Sequence, residues 1–203
     1  MHIVLLTPES EVPQESGIVN NLFAAGLQRL HLRRYSASAE DIIAYIAAIR
    51  PQYHHRIVLH NHFHLYHETG LGGIHLNTAT RLAPGLPSAT EGIPAERIST
   101  SFHSWHEITD NTVPYGYVFI SPVFNSISKP GYLAGIDRTQ LPSVKERQKT
   151  TGITPAIYAL GGIDQSNILT LKNEGFDGAA LLGSIWNAPD PLQAFTNTLA
   201  LIG

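Results

Sequence analysis

The chain has 203 residues, of which 43% are hydrophobic and 14% charged, and this balance excludes an intrinsically disordered protein. The net charge is −3 at pH 7 and the basic residues are not clustered, so we expect no nucleic-acid or anionic-membrane partner. The chain contains no Cys, which excludes disulfides, thiolate catalysis and Cys-based zinc or iron–sulfur sites.

Short runs rich in β-forming residues, bounded by turn residues, recur along the whole chain. Most are continuous apolar runs, which is typical of strands buried on both faces of a parallel sheet. In chain order the predicted strands are His2–Thr7, Leu30–Arg34, Arg56–His60, Gly73–Asn77, Arg97–Ser101, Tyr117–Ser121, Pro155–Leu160 and Gly178–Gly183.

Stretches with helical spacing separate these strands. Ile42, Ile46 and Ile49, for example, recur at intervals of three and four residues, the period of an amphipathic helix. Asp164 is the predicted N-cap of the helix after the seventh strand. The weakest helix is the one after the fourth strand, where Pro84 interrupts the pattern.

Eight strands alternating with helices predict an α/β fold, a single (β/α)8 TIM barrel over residues 1–203. The length is at the low end for this fold, so several helices must be short. An open doubly wound sheet with fewer strands is the alternative. We prefer the barrel because loops suited to phosphate follow the sixth, seventh and eighth strands.

Two glycine-containing loops follow the last two predicted strands. Gly161 and Gly162 come after the seventh strand, and Gly183 and Ser184 come after the eighth. Backbone N–H groups at such loops can point at an anion, and barrels often bind phosphate there. The alternative for the glycine pair is a tight turn with no ligand. We predict a phosphate site formed by these residues.

A third loop, after the sixth strand, begins at Ser121 and carries Ser126, Ser128 and Lys129. Two hydroxyls and an ammonium group can bind a pyrophosphate through hydrogen bonds and charge. An ordinary polar surface loop is the alternative.

Histidines are concentrated near the ends of the predicted strands. We expect them to line one side of the barrel mouth, opposite the phosphate loops; they are His31, His60, His62, His75 and His103. Strand alternation would place His60 and His62 on the same side. Zinc needs three or four ligands, so we predict no metal site from this pair. For His75 the alternative is a buried core residue, and for His103 an exposed loop residue.

The order of these motifs resembles the thiamine phosphate synthase superfamily, which contains the synthases and the thiazole tautomerases. The matching segments cover the whole chain and are Leu6-Thr7-Pro8, His31–Tyr35, Asn61-His62, Gly73–Leu76, Ser101-Phe102-His103, Ser121–Lys129, Gly161–Ile163 and Asp177–Ile185.

The resemblance implies a (β/α)8 barrel that joins a pyrimidine pyrophosphate to a thiazole phosphate, with Mg²⁺ on the pyrophosphate. Residues matching the pyrimidine pyrophosphate site are Arg33, Asn61, Ser101, Ser126, Ser128 and Lys129. Residues matching the thiazole phosphate site are Gly162, Gly183 and Ser184.

Several positions depart from the family pattern. The two Mg²⁺-binding acids of a synthase fall at His62 and Thr80, and the catalytic His of a tautomerase falls at Ser121. Without the acids, Mg²⁺ binding is expected to be weak or absent. Charge neutralisation could come instead from a catalytic set of basic residues, namely Arg33, His60, His62 and Lys129.

The resulting hypothesis is an enzyme of thiamine biosynthesis, synthase-like or tautomerase-like, acting on thiazole phosphate. Two alternatives stay open: a non-catalytic barrel that binds thiazole phosphate or thiamine phosphate, and a His-rich metal-dependent hydrolase. No apolar run reaches the ~20 residues of a membrane helix, and the first ten residues do not resemble a signal peptide. We therefore expect a cytoplasmic protein and allow for a homo-oligomer.

Overall fold

The computed structural model describes residues 1–86, 90–125 and 133–203. Parallel strands close into a barrel in which each strand pairs with the next and the last with the first. The strands are β1 (His2–Leu6), β2 (Arg29–Leu32), β3 (Ile57–Leu59), β4 (Gly73–Leu76), β5 (Ile98–Phe102), β6 (Tyr117–Ile120), β7 (Ala156–Leu160) and β8 (Gly178–Leu181). The predicted (β/α)8 barrel is confirmed, and each strand lies within one or two residues of its predicted bounds.

Helices connect the strands on the outside of the barrel. In the described residues they are α1 (Glu15–Ala24), α2 (Ala39–Ala47), α3 (Leu65–Thr69), α4 (Thr78–Arg81), α5 (Trp105–Thr109), α6 (Leu141–Thr151), α7 (Ile168–Glu174), α8 (Gly183–Trp186) and α9 (Pro191–Ile202). Short 3-10 turns precede β3, β5 and α6. Several helices are only four or five residues long, which is how eight repeats fit into so short a chain. None of the described helices is long and apolar enough to cross a membrane.

One helix start differs from the prediction. The residue before α7 is Asn167, three positions after Asp164. The Asp164 carboxylate instead accepts hydrogen bonds from the Ser166 backbone N–H and hydroxyl. An Asp can end a turn before a helix as well as cap it, so composition alone does not choose between the two.

Two apolar layers hold the barrel together. The outer layer lies between the strands and the helices and contains most of the buried aliphatic residues. The inner layer fills the barrel with a smaller apolar cluster, made of Val4, Leu6, Tyr117, Phe119, Tyr158 and Ala180. Gly178 makes room for Tyr158, because a Cβ atom at position 178 would lie 2.7 Å from the Tyr158 ring.

Candidate active site at the barrel mouth

The barrel interior beneath the mouth is polar. His31 on β2, His60 after β3 and His75 on β4 point inward and are almost fully buried. The His60 and His75 rings stack with centroids 4.4 Å apart, and the His31 ring lies 5.2 Å from that of His75. Three neighbouring strands therefore place three imidazoles next to one another, because alternate residues of a strand point into the barrel.

Every ring nitrogen of this histidine group has a hydrogen-bond partner. His31 Nδ1 shares a 2.9 Å bond with His60 Nε2, and His31 Nε2 a 2.6 Å bond with the Tyr117 hydroxyl. His60 Nδ1 shares a 3.2 Å bond with the Tyr35 hydroxyl. His75 contacts two serine hydroxyls, those of Ser99 and Ser101, each at 2.9 Å.

Burial keeps these histidines neutral. It is the main cause that lowers the pKa of His31 and His60 well below the ordinary histidine value, with neighbouring histidines and arginines adding to the effect. Burial also lowers the pKa of His75 to about 3. Near pH 7 none of the three carries a positive charge, so His60 does not fit the expected role of neutralising a pyrophosphate. His75 is the buried, hydrogen-bonded residue that our alternative described.

The expectation that His60 and His62 share a side is wrong. Strand β3 ends at Leu59, so alternation does not extend to position 62. His62 has φ 52°, a left-handed conformation that turns the chain away from the strand direction. Its Nε2 lies 2.9 Å from the Ala37 carbonyl oxygen, so the ring is bound to the loop before α2 rather than to the histidine group.

His103 is also separate from the histidine group. It follows β5 and is exposed, as the alternative for this residue described. Its Nδ1 lies 3.2 Å from the Ser121 carbonyl oxygen and 3.3 Å from the Ser121 hydroxyl. An imidazole from the end of β5 thus lies against the residue that follows β6.

The glycine pair after β7 packs tightly against the loop after β6. Both glycines have positive φ, and a Cβ atom on Gly162 would lie 2.1 Å from the Asn125 carbonyl oxygen. Phe124 N–H donates to the Gly161 carbonyl, and Val123 N–H to the carbonyl of the preceding Leu160. This contact alone accounts for Gly at both positions, so the glycine pair is not by itself a sign of a ligand.

The loop after β8 contains a different signal. The Ser184 hydroxyl oxygen is buried and has no hydrogen-bond partner among the described residues. It borders a cavity of about 360 Å³ that is also lined by Asp164, Gln165 and Ser166. A buried hydroxyl without a partner costs free energy unless a ligand or water binds it. Ser184 is therefore the strongest phosphate-binding candidate in these two loops.

Three further candidates have contacts with residues of the neighbouring strands and loops. Arg33 extends from the end of β2, where its Nε lies 3.7 Å from a Glu9 carboxylate oxygen and has no hydrogen-bond partner in the described structure. Asn61 donates a 2.9 Å hydrogen bond to the Arg34 carbonyl. Ser101 contacts His75, as described above. Of the three, Arg33 has a cationic group with unused donor capacity at the mouth. Ser126, Ser128 and Lys129 lie outside the described residues.

The residues at the two positions expected to bind Mg²⁺ do not fit that ion. His62 is bound to a backbone carbonyl, and Thr80 donates from both N–H and hydroxyl to the Asn77 side-chain oxygen. Mg²⁺ needs hard oxygen ligands and prefers carboxylates. Neither position supplies one, so we derive no reaction step through Mg²⁺.

The histidine group could also be considered as a transition-metal site, because its ligand atoms all lie within 4.8 Å of one another. Each ring nitrogen, however, already has a partner, and the guanidinium groups of Arg29 and Arg33 act on His31 and His60. An added cation would be repelled by both arginines, so we assign no metal to this group.

Two tyrosines take part in the site although the sequence motifs do not single out their side chains for it. In the sequence Tyr117 is only a strand residue, and Tyr35 is one of several polar residues that follow the predicted strands. Tyr117 has the same parity as Phe119 and Ser121, and this predicts an inward side chain. Its contact with His31 joins β6 to β2 across the barrel, which no local pattern reveals.

Comparisons with known proteins agree with the fold. A family model for thiamine monophosphate synthase matches residues 3–185. A solved thiamine phosphate pyrophosphorylase from Bacteroides thetaiotaomicron is 32% identical, with a TM-score of 0.76 over 100% of this chain and 98% of that one.

Two further proteins are similar to this chain. A Pyrococcus furiosus protein with the same name has a TM-score of 0.78 at 16% identity, covering 99% and 95% of the two chains, and shows the fold alone. Thiamine-phosphate synthase from Geobacillus kaustophilus is 33% identical over 78 residues, which are 38% of this chain and about a third (34%) of that protein. On the family match and the similarity over its full length, the chain belongs to the thiamine monophosphate synthase family.

Proposed function

We propose that this protein acts in thiamine biosynthesis by moving a proton on a thiazole phosphate, in the manner of the tautomerases, without Mg²⁺. The observation that carries this proposal is the His103 imidazole lying against Ser121. Ser121 is the position at which the resemblance implies a catalytic His in the tautomerase branch. Here the imidazole comes from the neighbouring strand instead.

His103 Nδ1 faces both oxygens of Ser121, so its contacts allow two tautomers. A backbone carbonyl can only accept a hydrogen bond, and the proposal uses the tautomer in which Nδ1 carries the hydrogen and donates it to the Ser121 carbonyl. In the neutral ring this leaves Nε2 with a lone pair. An exposed imidazole with a free Nε2 is suited to act as a general base.

The proposed substrate would extend from the loop after β8 towards His103. Ser184 would donate its hydroxyl to the phosphate, which satisfies the partnerless oxygen. The ends of β5, β6, β7 and β8 are consecutive around the mouth, so the substrate would lie across the ends of β6 and β7, between the base and the phosphate site. His103 Nε2 would take a proton from one ring atom and return it to another, and this exchange balances without any co-reactant.

Synthase-like coupling is the second candidate, and the 32% identity to a thiamine phosphate pyrophosphorylase favours it. Release of diphosphate needs strong charge neutralisation, which is the usual role of a metal. Of the basic residues expected to neutralise the diphosphate, only Arg33 remains among the described residues, because His60 is neutral and His62 is bound to the Ala37 carbonyl. Proton transfer needs less charge, and we therefore prefer it.

The test compares both reactions on one preparation. Conversion of thiazole carboxylate phosphate is followed by proton exchange with D₂O, and coupling with pyrimidine pyrophosphate by diphosphate release, each with Mg²⁺ and with EDTA. We expect EDTA-insensitive tautomerisation. His103→Gln should lower its kcat about 100-fold, the usual contribution of a general base, with little change in KM.

His106→Gln is the matched control, because His106 lies on the adjacent α5 with its side chain 82% exposed. Coupling that stops in EDTA, with tautomerisation absent, would establish the synthase-like alternative. Tight binding of thiazole phosphate or thiamine phosphate with neither reaction would establish the non-catalytic barrel.

A further inference from the structure

A continuous chain of hydrogen bonds runs through the barrel from the mouth towards its opposite end. It links Tyr35, which is 44% exposed, to His60 at 3.2 Å, then His60 to His31 at 2.9 Å and His31 to Tyr117 at 2.6 Å. We name Tyr35–His60–His31–Tyr117 the hydrogen-bond chain. The reaction proposed above does not use it.

The hydrogen bonds of this chain can all donate in one direction or all in the other. Neutral imidazole has one N–H donor and one acceptor nitrogen, and both nitrogens of His31 and of His60 are engaged within the hydrogen-bond chain. If one bond is reversed, every other bond must reverse with it. Either Tyr35 donates inward to His60, or Tyr117 donates to His31 and the hydrogen of Tyr35 is left free.

His75 stacks on His60 and is connected to the hydrogen-bond chain through Ser99, which contacts both His75 and Tyr117. The Ser99 hydroxyl donates to the Ile74 carbonyl at 3.2 Å, so it must accept from His75 Nδ1–H. The other nitrogen, Nε2, then accepts from the Ser101 hydroxyl. The bonds of His75 are thus complete on β4 and β5, and both directions of the chain leave its tautomer unchanged.

Arg29 favours one of the two directions. Its guanidinium carbon lies 4.7 Å from the centroid of the Tyr117 ring. Arginine only donates hydrogen bonds, so the Tyr117 hydroxyl hydrogen does not point at it. The Tyr117 hydroxyl also contacts Ser99, but the Ser99 hydroxyl already accepts from His75 and donates to Ile74. We therefore assign the Tyr117 hydrogen to His31 Nε2, which lies at 2.6 Å. His31 and His60 then both carry their hydrogen on Nδ1, and Tyr35 accepts from His60.

We propose that Tyr35 donates its free hydroxyl hydrogen to a carboxylate of the ligand in the mouth, and that His60, His31 and Tyr117 are positioning residues that hold it in this role. Arg33, two residues earlier, extends from the end of the same strand, and its Nε, 3.7 Å from a Glu9 carboxylate oxygen, has no hydrogen-bond partner in the described structure. Both residues act on His60, Tyr35 through a hydrogen bond and Arg33 through its charge, and a phenol donor together with a guanidinium suits an anionic oxygen. This assignment rests on the proposed function, since it gives the second anionic group of the thiazole substrate a partner.

The first experiment reads the direction of the hydrogen-bond chain without any ligand. Two-bond ¹H–¹⁵N NMR correlations of the full chain distinguish the two neutral histidine tautomers. We expect His31, His60 and His75 all to carry hydrogen on Nδ1. Hydrogen on Nε2 of His31 and His60 would mean that Tyr35 donates inward, and would overturn the inference.

The second experiment measures binding of two ligands, thiazole carboxylate phosphate and the same thiazole phosphate without its carboxylate. Tyr35→Phe should weaken binding of the first about 10-fold, the usual effect of losing a hydrogen bond to a charged group, and leave the second unchanged. Tyr53→Phe is the matched control, because that residue lies in the turn before β3, away from the mouth.

The outcomes separate the two proposals. Equal affinities in wild type and Tyr35→Phe would remove Tyr35 from the site while leaving the proposed function intact. Equal weakening of both ligands would overturn the carboxylate as its partner. Failure of wild type to bind either ligand would overturn the proposed function and the role of Tyr35 together, and the tautomers would still report the chain's direction.

Discussion

The two sides of the barrel mouth differ in how completely their polar groups are bonded. On the side of β2, β3 and β4, all ring nitrogens of the histidine group have protein partners. On the side of β5 to β8, His103 Nε2 and the Ser184 hydroxyl have none in the described structure. Residue type alone would assign both sides to ligand binding. The polar groups without partners lie mainly on the side of β5 to β8, so we expect ligands there. On the side of β2 to β4 only Tyr35 and Arg33 of the described residues, at the rim, remain available to a ligand.

The largest expected effect is a pH dependence of stability that comes from the buried histidines on the side of β2, β3 and β4. Because the pKa of His31, His60 and His75 is lowered in the folded protein, the unfolded chain binds their protons first. Stability is therefore complete above pH ~6.5 and falls as the pH decreases towards the folded pKa values. For His75 the window extends from about 6.5 to about 3.

At pH 5 the loss is about 2 kcal/mol for each histidine with a folded pKa well below 5. Urea denaturation at pH 7.5 and pH 5 measures it, and His75→Asn should remove one histidine's share of the difference. A free energy of unfolding that is equal at both pH values would show that folding does not lower the pKa of these histidines.

The next prediction concerns the contact between the loops after β6 and β7. Gly162→Ala should lower the free energy of unfolding by about 3 kcal/mol, because of both backbone strain and overlap with Asn125. Gly70→Ala is the matched control, since Gly70 has the same φ of 64° but no atom within 4 Å of the position that a Cβ atom would take. It should lose only about 1 kcal/mol. Similar losses for both variants would mean that the loops separate easily.

Ser184→Ala tests the partnerless hydroxyl on the second side. Without ligand, the variant should be as stable as wild type or more stable by up to about 1 kcal/mol, because an unsatisfied buried group is removed. Affinity for thiazole phosphate should fall about 10-fold. Ser166→Ala, which removes a hydroxyl bonded to Asp164 on the same cavity, should instead lower stability. A Ser184→Ala variant that binds the ligand normally would place the phosphate elsewhere.

The smallest effect concerns Arg33 at the rim of the first side. Glu9→Gln removes the only charge paired with Arg33 in the described structure, at 3.7 Å. Half-exposed ion pairs contribute little, so stability should change by less than about 0.5 kcal/mol. Affinity for an anionic ligand should rise about threefold as Arg33 is released. An unchanged or lower affinity would mean that Arg33 does not contact the ligand.

The barrel could be predicted from the sequence because its strands are buried on both faces, and continuous apolar runs directly reflect that burial. The site was harder to predict, because small backbone details decide which side chains meet. The end of β3 at Leu59 separates His62 from His60. The glycine pair after β7 has the composition of a phosphate loop, yet its close packing on Asn125 needs no phosphate. Only the three-dimensional contacts distinguish the two.

The seam between β8 and β1 offers a built-in optical probe. The Trp186 indole N–H, two residues beyond Ser184, donates a 2.7 Å hydrogen bond to the Leu6 carbonyl. The chain has only two tryptophans, and the other, Trp105, bonds the Asp137 carbonyl on a different side of the barrel. In a Trp105→Phe background, fluorescence therefore comes from a single indole beside the proposed phosphate site, and its emission can report occupancy of that site without a label.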